Sequence, residues 1–360
     1  MNIDILFLNK TTKQITNLTT KQHFIHYLTS IKARKVIFPC LLRYINVNRN
    51  SIVIILPLLM SLISLKVSAQ YDVAFSHYYA MPTSFNPAAA GKDTKLNLNL
   101  AYAMDMVGFE HNPQTAYVSA DMPFHALGMR HGVGLRFMND KLGLFTHQNI
   151  AAQYVYRKSL ADGFLGIGLQ AGLLSETFDG SKADVEDSGD DAIPTSKVDG
   201  NGLDLGAGIY YNKGAWYAGA SVQHLNSPLI ALGERNELKI DPTVYLTGGY
   251  TFQLRNPFLS IATSTLLRTD FTAYRADLTA RLIYNYEDRL LSAGVGYSPD
   301  NSATVYLSGK FHGILLSYSY EIYTNGISMG NGSHEISIAY QTDINFFPKG
   351  KNRHQSVRYL

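Results

Sequence analysis

The segment Ile314–Tyr323 reads ILLSYSYEIY and alternates between apolar and polar side chains. Successive side chains of an extended strand point to opposite faces, so the alternation places two kinds of residue on two faces. The apolar side chains share one face: Ile314, Leu316, Tyr318, Tyr320 and Ile322. The polar ones share the other: Ser317, Ser319 and Glu321. One apolar and one wet face predict a β-strand at a boundary between water and an apolar phase.

The same alternation recurs in segments of about ten residues, separated by clusters of Gly, Asn, Asp or Pro. Its last example runs through Ile336, Ile338 and Tyr340. About fourteen strands are predicted in this way. They begin near Lys95, Gln114, Gly132, Thr146, Gly163, Asn201, Trp216, Thr243, Phe258, Arg275, Leu290, Ala303, Ile314 and His334.

The connections between these segments alternate in length. Short ones lie at 158–162, 213–215, 285–289 and 312–313, whereas long ones lie at 175–200 and 225–242. An even strand count, with short turns on one rim and long loops on the other, is typical of bacterial outer-membrane barrels. We therefore predict an all-β, antiparallel transmembrane barrel of about 14 strands, with short periplasmic turns and long extracellular loops. The connection 123–131 fits least well, because it is long on the short rim.

A water-soluble β-sandwich or lipocalin-like barrel is the competing fold, because it also alternates but turns its apolar face inward. The charges on the polar face and the aromatics near the strand ends favour the membrane barrel, whose lumen is wet and whose interfaces carry aromatic girdles. The candidate lumen charges are Arg275, Asp277, Arg281, Lys310, Glu321 and Glu335.

The chain before the barrel resembles a secretory leader. Residues 51–65 form an apolar run, preceded by Arg43 and Arg49 and followed by Val67-Ser68-Ala69, which predicts cleavage between Ala69 and Gln70. We expect an N-terminal extension at 1–42 that reflects a mis-assigned start, a signal peptide at 43–69, and a periplasmic segment or plug at 70–94. The barrel would occupy 95–347 and a basic tail 348–360.

Removing the leader changes the charge. Of the 31 Lys and Arg and the 28 Asp and Glu, nine basic residues and one acidic residue precede Gln70, which leaves 22 and 27. An acidic mature chain is a poor nucleic-acid binder, so no nucleic-acid partner is expected. The only cysteine, Cys40, lies in the leader region, so the mature chain has neither a disulfide nor a lipoprotein anchor.

No motif predicts catalysis. The acidic stretch 176–191 could offer oxygen ligands to Ca²⁺, but it lacks EF-hand spacing and is interpreted as a solvated extracellular loop. Ser333, His334 and Glu335 are of catalytic types, yet neighbours on a strand point to opposite faces and cannot form a triad together. We expect no enzyme activity, no cofactor and no metal site.

Several segments resemble the PorP/SprF-like membrane proteins of the type IX secretion and gliding machinery of Bacteroidota. The resemblance covers nearly all of 70–345. It rests on Gln70-Tyr71-Asp72, Phe75 to Tyr79, the Asn86 to Gly91 element NPAAAG, Val107-Gly108-Phe109 with Pro113, Asn139 to Gly143, Leu203 to Tyr211, and Gly332 to Ile336. Where many members have a Trp, this chain has Met104-Asp105-Met106.

The resemblance implies a non-enzymatic outer-membrane barrel that supports secretion or surface attachment of an adhesin carrying a type IX C-terminal domain. Implied partners are outer-membrane lipid, that adhesin, and components of the periplasmic ring and translocon. Whether the chain is a core secretion component or an adhesin-specific paralogue stays open. The alternative is an outer-membrane channel or FadL-like transporter, with the segment before Lys95 as its plug.

Overall fold

The computed structural model describes residues 71–182, 194, 196–233, 236–287, 289–324 and 332–343. The expected leader, its cleavage site at Ala69 and Gln70, and the basic tail lie outside the described residues. The described part contains sixteen strands and three short 3₁₀ turns. The strands are β1 Leu96–Met104, β2 Gln114–Ala126, β3 Met129–Leu142, β4 Phe145–Leu160, β5 Gly163–Asp179, β6 Lys197–Lys213, β7 Trp216–Gln223, β8 Leu229–Leu232, β9 Asn236–Lys239, β10 Thr243–Gln253, β11 Leu259–Thr269, β12 Tyr274–Tyr286, β13 Arg289–Ser298, β14 Ser302–Phe311, β15 Ile314–Tyr323 and β16 Ser333–Thr342.

Fourteen of these strands form one closed barrel in which consecutive strands pair, except that β7 pairs with β10 because β8 and β9 form a separate sheet. Every pairing is antiparallel, and β1 closes the barrel against β16, with Leu100 opposite Ile338. The prediction of an antiparallel fourteen-strand barrel is therefore confirmed. Predicted strand starts agree with the observed ones closely, and the largest displacement is at β6, which begins at Lys197 rather than Asn201.

The two faces of the wall differ as the alternation predicts. In β15, Ile314 and Leu316 are exposed on the outside, whereas Ser319 is 1% and Glu321 4% exposed on the inside. The same arrangement recurs around the wall: apolar side chains lie outside and polar side chains inside, the reverse of a water-soluble protein. Its exposed apolar side chains include Leu100, Leu135, Ile150, Leu169, Leu203, Leu246, Leu282, Val295 and Leu307. An outer face this apolar requires lipid as its solvent, which argues against the soluble sandwich.

The connections give the barrel two unlike rims. On the short-turn rim, the connections lie at 127–128, 161–162, 214–215, 254–258, 287–288 and 312–313. The long-loop rim includes 105–113, 180–196, 224–242 and 324–332. The segment 123–131, which fitted poorly in the sequence, is mostly strand, with a tight turn at Leu127 and Gly128. Three connections on this rim are short, at 143–144, 270–273 and 299–301.

The longest of the described loops, between β7 and β10, contains the hairpin β8–β9, which the sequence reading did not predict. Ile230 of this hairpin and Ile240 just after it are buried against Leu174 of β5. Because these contacts turn the hairpin inward, it lies over the mouth of the lumen at the long-loop rim. Among the described residues, no helix is long and apolar enough to span a membrane.

Candidate functional site

Residues 71–94, here called the plug, lie inside the barrel. They bond to inward-facing groups of strands on all sides of the wall, including Asp121 of β2, Gln153 of β4 and Glu335 of β16. The plug begins near the long-loop rim, at Tyr71, and reaches the short-turn rim before β1 begins at Leu96. It therefore runs through the length of the lumen.

The element NPAAAG holds the plug close to the wall. Asn86 caps the 3₁₀ turn Pro87–Ala89, because its Oδ1 accepts a hydrogen bond from the Ala88 N–H at 2.9 Å. Its Nδ2 donates to the Ile209 carbonyl of β6 at 3.0 Å, so one side chain both shapes the plug and ties it to the sheet.

Gly91 ends this element. Its N–H donates to Asp121 Oδ2 at 2.7 Å, and its φ of +64° is one that side-chain-bearing residues rarely adopt. A Cβ here would lie 2.7 Å from the Met122 carbonyl oxygen. Both the positive φ and the lack of space for a Cβ require glycine, which explains why the NPAAAG element ends in Gly91.

Two wall glycines make room for the plug. A Cβ at Gly168 of β5 would lie 2.4 Å from the Ala88 nitrogen, and one at Gly132 of β3 would lie 2.2 Å from the Ala90 carbonyl oxygen. Because the atoms in the way are backbone atoms, no side-chain rotation relieves the clash. These glycines are therefore places where a second backbone approaches the strand.

Buried arginines of the wall bind plug carbonyls. Arg157 Nη2 donates to the carbonyl of Ala90 at 3.0 Å and lies within 3.4 Å of those of Ala88 and Ala89. Arg136 donates to the Ser84 carbonyl. Charge-assisted hydrogen bonds of this kind are the stronger ones, so they fix a segment with little regular structure of its own.

In the middle of the lumen, Glu335 of β16 holds the plug backbone. Its carboxylate accepts from the Ser76 N–H at 2.6 Å and the His77 N–H at 3.1 Å, and it bonds the His77 ring at 2.7 Å. Across the lumen, the Tyr78 hydroxyl donates to the Ser264 carbonyl at 2.9 Å. Two opposite sides of the wall thus form hydrogen bonds with neighbouring residues of the plug.

At the long-loop end, the plug is held by a buried charged cluster. His224, in the loop after β7, lies between Asp204 of β6 at 2.8 Å and Asp72 of the plug at 3.0 Å. The Asp72 carboxylate also accepts from the Tyr245 hydroxyl at 2.6 Å. Burial opposes the charge on His224, but the two carboxylates outweigh it and raise its pKa to about 10. Burial likewise opposes the charge of Asp72, but mainly His224 lowers its pKa below the usual range.

These shifts predict a pH dependence. His224 stabilises the fold fully below its unfolded pKa of about 6.5, and the contribution declines as pH rises towards about 10. The Asp72 contribution is present above about pH 4 and is lost only as pH falls through its lowered pKa. His224→Gln leaves two buried carboxylates unneutralised, so we expect a loss of about 3–5 kcal/mol near pH 6.

The check is denaturant unfolding of wild type and His224→Gln between pH 6 and pH 10. The difference in unfolding free energy should shrink as the pH rises. The exposed His111, changed to Gln, is the matched control and should cost almost nothing. A difference that stays constant across this range would show that the charge on His224 contributes nothing.

Tyr71 completes this end of the plug. Its hydroxyl donates to Glu176 of β5, which also bonds His147 of β4. The Tyr71 ring packs beside the buried Leu174 and Ile230, under the β8–β9 hairpin. Glu176 was interpreted as the start of a solvated loop, and this was wrong, because Glu176 is fully buried within β5. Residues 183–191 of that acidic stretch lie outside the described residues.

The six predicted lumen charges have different partners in the structure. Arg275 bonds Asp277 at 2.8 Å and Glu321 at 3.1 Å, near the long-loop rim, where Ser298 and Ser302 also donate to the two carboxylates. Glu335 anchors the plug, as described above. Arg281 lies over the Tyr79 ring, 3.4 Å from its centroid. Lys310 lines a cavity near the short-turn rim.

The Ser333 to Glu335 run is not arranged as a triad. Ser333 Oγ lies 2.6 Å from the Tyr323 hydroxyl on the inside, whereas His334 bonds the Tyr318 hydroxyl on the other face. Within the described ranges, no group of His, Cys, Asp and Glu is arranged to hold a metal ion.

Sequence reasoning missed most of the plug anchors. Asp72, His77, Asp204 and His224 lie far apart in sequence and belong to no common pattern. The available signals were the strand glycines, interpreted as sites where strands bend or lumen contents need space, and the NPAAAG element, noted only for its resemblance.

A family model described as "Type IX secretion system membrane protein PorP/SprF" matches residues 67–340. No curated protein sequence matches the chain. Among solved structures, the CymD monoaromatic hydrocarbon channel is 13% identical, with 77% of this chain and 95% of that chain covered and a TM-score of 0.44. A Pseudomonas aeruginosa FadL homologue is 13% identical, with 69% and 89% covered and a TM-score of 0.37.

Proposed function

Since this chain belongs to the PorP/SprF family of type IX secretion system membrane proteins, we propose that it is a sealed outer-membrane barrel that serves as a fixed partner for an exported surface protein. The partner we propose is a secreted adhesin with a type IX C-terminal domain, whose secretion or attachment the barrel supports during gliding or adhesion. The periplasmic ring and translocon are the further partners. The barrel carries out no catalysis in this scheme.

The plug is the observation that supports this proposal. A barrel of fourteen strands is wider than the eight-stranded kind that side chains alone fill, so its lumen either conducts or is filled by another element. Here the plug fills it. Arg157 binds the plug towards the short-turn rim, Glu335 binds it in the middle, and His224 binds it at the long-loop end. Such a lumen suits a scaffold for partners better than a path for solutes.

The orientation follows the rule for outer-membrane barrels, with the short turns in the periplasm and the long loops outside. The first residue of β1, Leu96, and the last residue of β16, Thr342, then both lie on the periplasmic side. Tyr71, at the plug's outer end, lies below the β8–β9 hairpin. Signal-peptide removal between Ala69 and Gln70 would free this end to enter the lumen, and we expect N-terminal sequencing of the mature protein to begin at Gln70.

Co-purification from native outer membranes tests the proposed partner. The tagged chain should recover a large secreted protein with a type IX C-terminal domain, together with secretion-machinery components. A different tagged outer-membrane barrel of the same cell should recover neither. Repeated recovery of the chain alone, under mild detergent, would refute the partner role. Steady ion conductance by the wild-type chain would instead support the channel alternative.

A further inference from the structure

A second feature of the lumen lies between the plug and the wall of strands β12 to β16 and β1. It is a cavity of about 310 Å³, within the lower range of small-ligand sites. Its lining includes Gly313, in the turn between β14 and β15, and the half-buried Lys92. The cavity therefore reaches the short-turn rim, which is the periplasmic side in the proposed orientation.

Cationic side chains outnumber acidic side chains in the lining of this cavity. Three are cationic, Lys92, Arg281 and Lys310, and two are carboxylates, Asp93 and Asp121. Asp121 is occupied by hydrogen bonds from the Gly91 N–H and Asn97. Among the described residues, no ion pair joins any of the three cations to an acid, and the buried Arg281 Nε has no hydrogen-bond acceptor. The Arg281 guanidinium already lies over the Tyr79 ring, so it is the charge of Lys92 and Lys310 that points to an anionic ligand.

The rest of the lining combines short polar and apolar side chains. The polar ones include Asn97, Asn99, Ser292, Ser308, Ser317 and Gln341, and the apolar ones include Ile283, Leu290 and Leu315. Hydroxyl and amide groups both donate and accept, as a peptide backbone requires. We propose that this cavity binds the carboxylate end of a polypeptide presented at the short-turn rim, with Lys310 bonding the carboxylate.

A lipid phosphate fits this cavity less well. The cavity faces the lumen, and the closed wall separates it from the bilayer. The five ionisable groups leave a formal net charge of +1, which suits one carboxylate better than a dianionic phosphate. This inference does not require the ligand to be a type IX substrate, so its failure and the failure of the proposed function are separate results.

Fluorescence anisotropy with the purified full chain tests the site. The probe is the fluorescein-labelled pentapeptide GSAVL with a free carboxylate, and its comparison is the same peptide with a C-terminal amide. We expect the acid to bind at least about tenfold more tightly, since one charge-assisted hydrogen bond is worth about that factor. Lys310→Gln should remove most of this preference and leave the weak binding of the amide unchanged.

Lys158→Gln is the matched control, because Lys158 is an exposed lysine near the same rim but outside the cavity. It should leave the acid preference intact. Equal binding of acid and amide, or equal loss in the two lysine variants, would overturn the proposal.

A variant that ends at residue 348 identifies the source of the carboxylate. If this truncation strengthens probe binding, the removed tail of this chain competes for the site and is its natural ligand. If binding is unchanged, the ligand is the end of another polypeptide. Either result supports a carboxylate site, provided that the acid outcompetes the amide.

Discussion

Removing residues 71–91 is expected to convert a closed barrel into one that conducts ions. The deleted segment is held by the wall through Glu335, Arg157 and Asp121, and each of these would then face water in the lumen. Barrels of somewhat larger strand number leave an aqueous channel when nothing fills them, and barrels of eight strands do not. Planar-bilayer recording should show steady open steps for the deletion variant and none for the full chain.

The deletion also removes buried contacts, so each preparation must first show the altered gel mobility of a folded barrel in unheated sample. A folded deletion variant that stays closed would mean that the loops, and not the plug, seal the lumen. A conducting full chain would contradict the sealed barrel directly.

Gly168→Val is expected to displace the plug while leaving the barrel intact. The new Cβ would fall 2.4 Å from the Ala88 nitrogen, and the plug backbone there is held between β4, β5 and β6. Overpacking a well-filled core costs about 1–3 kcal/mol, and here the obstructing atoms are backbone. We expect loss of at least that much stability, together with flickering conductance.

Gly248→Val is the matched control, because Gly248 is also a strand glycine but its Cβ would meet only the Tyr217 carbonyl oxygen, at 3.5 Å. That distance is ordinary contact, so the control should stay closed and lose little stability. If the two variants behave alike, the close approach of plug and wall at Gly168 does not hold in the membrane.

The barrel could be predicted from the sequence because its wall repeats one physical rule. Lipid outside and a polar lumen inside impose a period of two on every strand, and ILLSYSYEIY shows that period without any alignment. The rim assignment followed from loop lengths. The β8–β9 hairpin was not predicted, because its strands Leu229–Leu232 and Asn236–Lys239 are too short to show a clear alternation of apolar and polar side chains.

The plug's path could not be predicted, because it depends on single contacts between distant residues. Asp72 and His224 are joined only once the barrel has closed, and neither position looks unusual in its own segment. Glu335 was assigned to the lumen by its place in an alternating strand, yet nothing in that strand indicated that its partners would be Ser76 and His77.

Residues 71–94 fill the lumen, and a disulfide between plug and wall tests this placement most directly. A Cβ at Gly134 would lie 3.1 Å from that of Ala90, a few tenths of an ångström closer than the Cβ atoms of bridged cysteines, and Cys40 is the only natural cysteine. In oxidised native membranes, mass spectrometry of the Ala90→Cys, Gly134→Cys double variant should recover the two cysteines linked. Two free, alkylatable thiols in a protein that still shows folded-barrel mobility would contradict the claim.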